Sequence, residues 1–254
     1  MKIYHITYSP NIAYLHFWGC NFSCKACLCK KEIWDCHLPH VDIFKDVNNE
    51  GYLNSKASTE TKAPDKFLSL SEVVKMLKEL EAREVILMGM EPSINPELPE
   101  LTKALHTNFH TRNILLTNGY ELPSLEHVDE VVVSIKAFSN DLHKDYTGKD
   151  NEKVLENFRK IHQLGIKLYA ESVLIPSYID REEIGKISKF IASVDNNIPY
   201  RIDSYIPVAG NEWRRPTQLE MEEAYKQANK YLKQVDYLRG DKNLLTCEFK
   251  QIFP

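Results

Sequence analysis

The chain has 254 residues, 43% hydrophobic and 27% charged, with a formal net charge of −4. That balance is ordinary for a globular protein, and it gives no electrostatic reason to invoke nucleic acid. Six cysteines are too few for a disulfide-scaffolded domain, and no apolar stretch of signal-peptide or membrane-span length is visible. The expected location is therefore cytoplasmic, where thiols stay reduced and clustered cysteines favour metal.

In chain order, residues 13–17 (AYLHF) predict a first strand that ends just before a cysteine-rich loop. Residues 30–68 are polar with no sustained period, and read as an insert: a surface loop, or a flap over a nearby site. Residues 71–82 follow a Ser N-cap and carry Val73, Val74, Leu77 and Leu80 at helical spacing. Strands are predicted over 84–88, 113–117, 128–135, 167–175 and 200–205. Helices are predicted over 96–106, 153–164 (stopped by Gly165), 181–194 and 217–235. The apolar tail, with Leu244, Leu245, Phe249, Ile252 and Phe253, is expected to pack back on the domain.

This alternation predicts parallel strands joined by right-handed helical crossovers. About six strand–helix units make an α/β fold, an open, partial (β/α)6 barrel of parallel strands. The expected organisation is one domain over 1–254, with a core at about 12–210 and a C-terminal helix and tail at about 217–254. In parallel barrels the working residues lie at the C-terminal ends of the strands, and the motifs below fall there.

Cys20, Cys24 and Cys27 have the spacing CxxxCxxC, and Cys29 follows two positions later. A [4Fe–4S] cluster is usually held by four thiolates. Three in a tight run leave one iron open to a substrate or cofactor. Zinc is the competing reading; it usually takes two separated ligand pairs, and Cys29, Cys36, His37 and His40 could supply a second. Cys29 is also an alternative to Cys27 as third ligand.

The segment Trp18–Cys27 resembles the cluster loop of the radical S-adenosylmethionine (SAM) superfamily. Leu87-Met88-Gly89-Met90-Glu91-Pro92 resembles its Gly-Gly-Glu-Pro turn. Ser134-Ile135-Lys136, His143, Thr147-Gly148, Val154-Leu155-Glu156-Asn157 and Val173-Leu174-Ile175-Pro176 with Asp180 resemble, in order, stretches of glycyl-radical-enzyme activases. The resemblance covers about 12–210. Met90, Ser134, Leu116 and Glu171 depart from the pattern.

The resemblance implies a radical SAM oxidoreductase. Reductive cleavage of SAM at a [4Fe–4S] cluster would give a 5′-deoxyadenosyl radical that abstracts hydrogen, from a polypeptide in the activase branch or from a small metabolite. Cys20, Cys24 and Cys27 would hold the cluster. Ala26, Gly89, Met90, Glu91, Ser134 and Lys136 would meet SAM, with Glu91 on its amino group and Lys136 on its carboxylate. Expected partners are an electron donor such as flavodoxin or ferredoxin and a protein substrate, with no nucleic acid and no membrane. A non-catalytic zinc domain and an iron–sulfur carrier that does not use SAM are the other classes. His143 reads as a structural histidine. Cys29, Cys36 and Cys247 read as buried or incidental thiols, or as ligands of an auxiliary cluster. Arg214 and Arg215 with Trp213 and Tyr205 read either as a substrate edge or as the opening of the last helix.

Overall fold

The computed structural model describes residues 1–30, 63–207, 211–239 and 248–253. Its strands are β1 (Ile3–Ser9), β2 (Ile12–Phe17), β3 (Glu84–Gly89), β4 (Arg112–Thr117), β5 (Glu130–Ser134), β6 (Lys167–Leu174), β7 (Tyr200–Ser204), β8 (Val235–Leu238) and β9 (Lys250–Phe253). The helices are α1 (Leu70–Leu77), α2 (Leu98–Phe109), α3 (Asn140–Thr147), α4 (Glu152–Gln163), α5 (Arg181–Val194) and α6 (Gln218–Ala228).

One sheet runs in the order β8-β7-β6-β5-β4-β3-β2-β1-β9. The strands β2 to β8 are parallel to their neighbours. Beyond β2 the sheet continues antiparallel through β1 and β9. It does not close, so the parallel part is an open partial barrel.

Side-chain alternation defines its two faces. Val131, Val133, Leu168, Ala170, Leu174, Tyr200 and Ile202 are buried on the face that meets the helices, with Leu101 and Leu105 of α2, Phe158 and Ile161 of α4, and Ile184 and Ile187 of α5 in the same core. Each fully buried Leu or Ile contributes about 1.5–3 kcal/mol. The opposite, concave face carries Glu130, Val132, Ser134, Tyr169, Glu171, Arg201, Asp203 and Asp236. At its floor a row of opposite charges crosses four neighbouring strands. Arg112 bonds Glu84 at 3.2 Å and also Glu130, and Lys167 bonds Glu130 at 3.1 Å.

Several elements differ from the sequence expectation. The expected helix over 217–235 is α6 followed by β8. Asn229 is its C-cap, and Lys233 N–H bonds Asn196 O at 3.1 Å as the chain turns to pair with β7. No helix joins β4 to β5 among the described residues. Between β5 and β6 there are two helices, and α3 was unforeseen because its sequence, NDLHKDYT, is mostly polar. The tail does pack back, as β9 against β1, with Ile252 and Phe253 on the core. Leu244, Leu245, Cys36, Cys247 and most of the 30–68 insert lie outside the described residues.

Two helices start on reciprocal caps. Ser69 with Glu72 opens α1, and Thr217 with Glu220 opens α6. Arg214 grips Glu220 with both guanidinium nitrogens, at 2.7 and 2.8 Å, and holds its carboxyl down at about 2. Arg214 therefore takes part in opening α6. Glu220 adds stability above the ordinary value of 4.5, and loses that contribution as pH falls toward about 2. Thr217→Ala should cost about 1 kcal/mol in chemical denaturation. An unchanged midpoint would show that the cap is idle.

Candidate functional site

The cysteine loop leaves the C-terminal end of β2 and crosses the rim of the concave face. It is anchored on α3: Ser23 N–H bonds Thr147 O at 2.8 Å, and Lys25 N–H bonds Tyr146 O at 3.0 Å. Phe22, 1% exposed, packs edge-on against His143 and Tyr120. Asp145 takes the Lys25 ammonium at 2.6 Å and the Tyr178 hydroxyl. Tyr178 stacks on Trp213 with centroids 4.3 Å apart, and Asn211 Nδ2 bonds Lys25 O at 2.9 Å. The loop is thus tied to α3 and to the connections that follow β6 and β7.

The thiols gather within this frame. Cys20, Cys27 and Cys29 lie within electrostatic reach of one another, and Cys24 lies beside Tyr146 and Tyr178. Burial pushes the Cys20 thiol above its ordinary value, while the Phe22 N–H pulls it down. Cys29 is raised further by its hydrogen bond with Cys27 and by burial. Its thiol also faces Gly89 O at 3.9 Å. No three described His, Cys, Asp or Glu side chains close on a single ion position. A cubane cluster does not require that, because each thiolate binds a separate iron. Soft, clustered thiols with N–H groups directed at Cys20 fit such a group.

Gly89 has φ +105°, and a Cβ there would lie 2.7 Å from both the N and the O of Phe17. Only glycine lets the end of β3 lie this close to β2. Met90 N–H then bonds Phe17 O at 3.0 Å, and its Sδ accepts the Gly19 N–H at 3.1 Å. Met90, in place of a second glycine, therefore braces the entry to the cysteine loop.

Glu91 is 1% exposed. Its Oε1 accepts from Ser93 N–H at 3.1 Å and Thr117 Oγ1–H at 2.7 Å, and Oε2 accepts from Asn118 N–H at 2.7 Å. Bonds to a carboxylate contribute roughly 1.5–3 kcal/mol each. Burial still outweighs them, since the Glu91 pKa is raised. The carboxylate expected to meet SAM is thus already bound to the ends of two strands.

Asn118, absent from the expected site, is drawn in by that brace. Its side chain, 5% exposed, donates to Asn21 Oδ1 at 2.7 Å and to Cys20 Sγ at 3.7 Å. In sequence the Asn-Gly pair reads as the turn that ends a strand on the working face, with no hint of a contact to Cys20.

Lys136 Nζ donates to Ser134 Oγ at 2.6 Å. Its ammonium acts on Cys20 and Cys29 on one side and on Asp203 on the other. Ser134, in place of an acid, leaves this cation without a carboxylate at that position. Glu171 pairs with Arg201 at 2.8 Å, and Arg201 also grips Asp203 at 2.8 and 3.1 Å. Burial raises the Asp203 pKa against that pairing. Glu171 and Arg201 also border a cavity of about 430 Å³ at the N-terminal ends of β5, β7 and β8, lined by Glu130, Val132, Tyr169 and Asp236 among others. Ala26 packs against the core beside Cys27. His143 is fully buried, with Nδ1 2.7 Å from Lys149 O. Burial lowers its pKa, which suits the structural role.

Residues 14–191 match the Radical SAM superfamily model. A Methanocaldococcus jannaschii protein, assigned by name to glycyl-radical enzyme activation, is 31% identical over 244 residues, covering 92% of this chain and 83% of that protein. The chain belongs to the radical SAM superfamily. It is an enzyme of that family, whose cofactors are a [4Fe–4S] cluster and SAM, so the zinc-domain and electron-carrier alternatives fall away. The pyruvate formate-lyase-activating enzyme of Staphylococcus epidermidis is 32% identical over 116 residues, 42% of this chain and 46% of that enzyme. QueE from Escherichia coli shares the fold with a TM-score of 0.55 at 16% identity, over 93% of this chain and 94% of that one. No helix among the described residues is long and apolar enough to cross a membrane.

Glu91→Gln tests the brace. The amide keeps one oxygen, so Ser93 N–H or Asn118 N–H loses its acceptor, at a cost of about 1–3 kcal/mol in denaturant unfolding. The folded wild type holds the Glu91 proton above pH 4.5, where the unfolded chain has released it. This carboxyl's contribution is fullest below 4.5 and declines as pH rises through the raised value. Glu91→Gln should lose that slope. A variant as stable as wild type, with the same pH profile, would remove the brace from the account.

Proposed function

We propose that this enzyme abstracts a hydrogen atom from a polypeptide substrate, in the manner of an activating enzyme. Cys20, Cys24 and Cys27 would hold the cluster. The Gly89–Met90 backbone, Ser134 and Lys136 would meet the methionine end of SAM, and the Ala26 backbone would lie toward the adenine. Glu91 would act chiefly by holding the turn in place. When bound, the cluster supplies the electron that cleaves SAM. The chain's own part is to aim the thiols, hold Lys136 where it can pair with the SAM carboxylate, and present an open concave face. An electron donor of the flavodoxin or ferredoxin kind, a cytoplasmic location and a single-domain organisation complete this reading.

The observation that carries it is the near full-length similarity to a protein named for glycyl-radical enzyme activation. The open sheet supports it, since a barrel that does not close can admit a protein loop. A small-metabolite substrate is the second reading. Supporting it is a cavity of about 430 Å³ beside Arg201, a size typical of small-molecule sites, which lies toward the N-terminal ends of β5, β7 and β8 on the floor side of the concave face.

Reconstituted protein should hold about four irons per chain, and Cys20→Ala, Cys24→Ala and Cys27→Ala should each abolish the cluster. Full occupancy in Cys27→Ala with loss in Cys29→Ala would exchange the third ligand. With strong reductant, 5′-deoxyadenosine should form, stimulated by a glycyl-radical-type protein together with a glycyl EPR signal. Stimulation by a small-molecule pool alone would transfer the assignment to the second reading.

Lys136→Ala should weaken SAM binding to the cluster-loaded protein by about 1.5–3 kcal/mol, the range for a charge-assisted bond. Wild-type affinity would remove Lys136 from the site.

A further inference from the structure

We propose that Asn118 is a positioning residue for the cluster: its side-chain N–H holds the Cys20 thiolate and raises the reduction potential of the bound cluster. The inference rests on the assignment of Cys20 as a ligand.

The orientation of the amide is fixed by its partners. Asn118 Oδ1 accepts the Tyr120 N–H at 2.9 Å, so Nδ2 must be the end that faces Asn21 and Cys20. The turn beneath it is equally constrained. Its main-chain N–H is held by Glu91 at 2.7 Å, and Gly119, at φ +75°, sits where a Cβ would meet Val133 Cγ1 at 2.9 Å. Asn157 Nδ2 bonds the carbonyls of Gly119 and Tyr120 at 2.9 and 3.1 Å. The amide is therefore presented to Cys20 without freedom to turn away.

The chemistry changes when the sulfur becomes a ligand. As a thiol, Cys20 faces Asn21 Oδ1 at 3.8 Å as a weak donor. A ligating thiolate has no proton to donate and is a stronger acceptor. The groups already directed at the sulfur are donors: Phe22 N–H at 3.3 Å and Asn118 Nδ2 at 3.7 Å. Reduction adds negative charge to the cluster and its sulfurs. A donor on a ligand sulfur favours the reduced state and moves the potential up. Of the two donors, Phe22 belongs to the loop itself. Asn118 comes from the end of β4, and so couples the Glu91 turn to the ligand.

The test is an EPR-monitored redox titration of reconstituted wild type, Asn118→Ala, Asn118→Leu and Asn21→Ala. Both Asn118 variants remove the donor without adding charge, and Leu preserves volume. The expected result is a full cluster with a more negative midpoint potential in both. Asn21→Ala frees the amide from its other acceptor, and its potential should not fall. Wild-type potential in a cluster-loaded Asn118 variant overturns the proposal, as does an equal fall in Asn21→Ala and Asn118→Ala, which would mark mere disturbance of the loop. If wild type takes up no cluster, the assignment of the thiols itself is wrong, and the proposal falls with it.

Discussion

The arrangement of the rim depends on one buried carboxylate. Glu91 sits where β3 ends, and its three hydrogen bonds reach its own turn at Ser93 and the end of β4 at Thr117 and Asn118. Parallel strands leave their C-terminal main-chain groups to be satisfied by the loops that follow. Here one side chain binds the main-chain N–H groups of Ser93 in the turn after β3 and of Asn118 after β4, together with the Thr117 hydroxyl. Burial raises its pKa against the pull of those bonds, so the fold favours the protonated form of this group over the ionised one. What it secures is placement, because Asn118 and through it Cys20 inherit their positions from that carboxylate.

The remaining contacts distribute the same task over the rim. Gly89 brings β3 within backbone contact of β2, and the Met90 sulfur accepts the Gly19 N–H. On the other side, Lys25, Asp145, Tyr178 and Trp213 fasten the cysteine loop to elements far along the chain. Between them Lys136 stands with its charge directed both to the thiols and to the Arg201–Asp203 pair. The concave face therefore passes from a sulfur-rich rim to a charged wall, and the opposite charges of Glu84, Arg112, Glu130 and Lys167 line its floor.

Much of this was legible in the sequence for definite reasons. The parallel core strands carry apolar residues on the face buried against helices, and α5 spans the predicted Arg181–Val194, its start fixed by Asp180, which caps it with two main-chain bonds. The thiol spacing is local and needs no tertiary information. The edge strands β8 and β9 were missed because edge pairing depends on a neighbour and not on a period, and β1, which pairs antiparallel on both sides, lies outside the strand–helix alternation. The polar α3 was missed because it is built from hydrophilic residues around a buried His143, Tyr146 and Thr147. Glu91 was expected as a SAM contact, and its role as a brace was not legible, because its partners lie up to 27 positions away. Asn118 was legible as the residue that ends a strand on the working face, but not as a partner of Cys20.

The most direct test of this account is a crystal structure of the cluster-loaded protein with SAM bound. The account predicts that the Glu91 carboxylate keeps Ser93, Thr117 and Asn118, with the Asn118 amide still on Cys20 Sγ. A Glu91 side chain swung out to bond the SAM amino group, with Thr117 and Asn118 released, would contradict it.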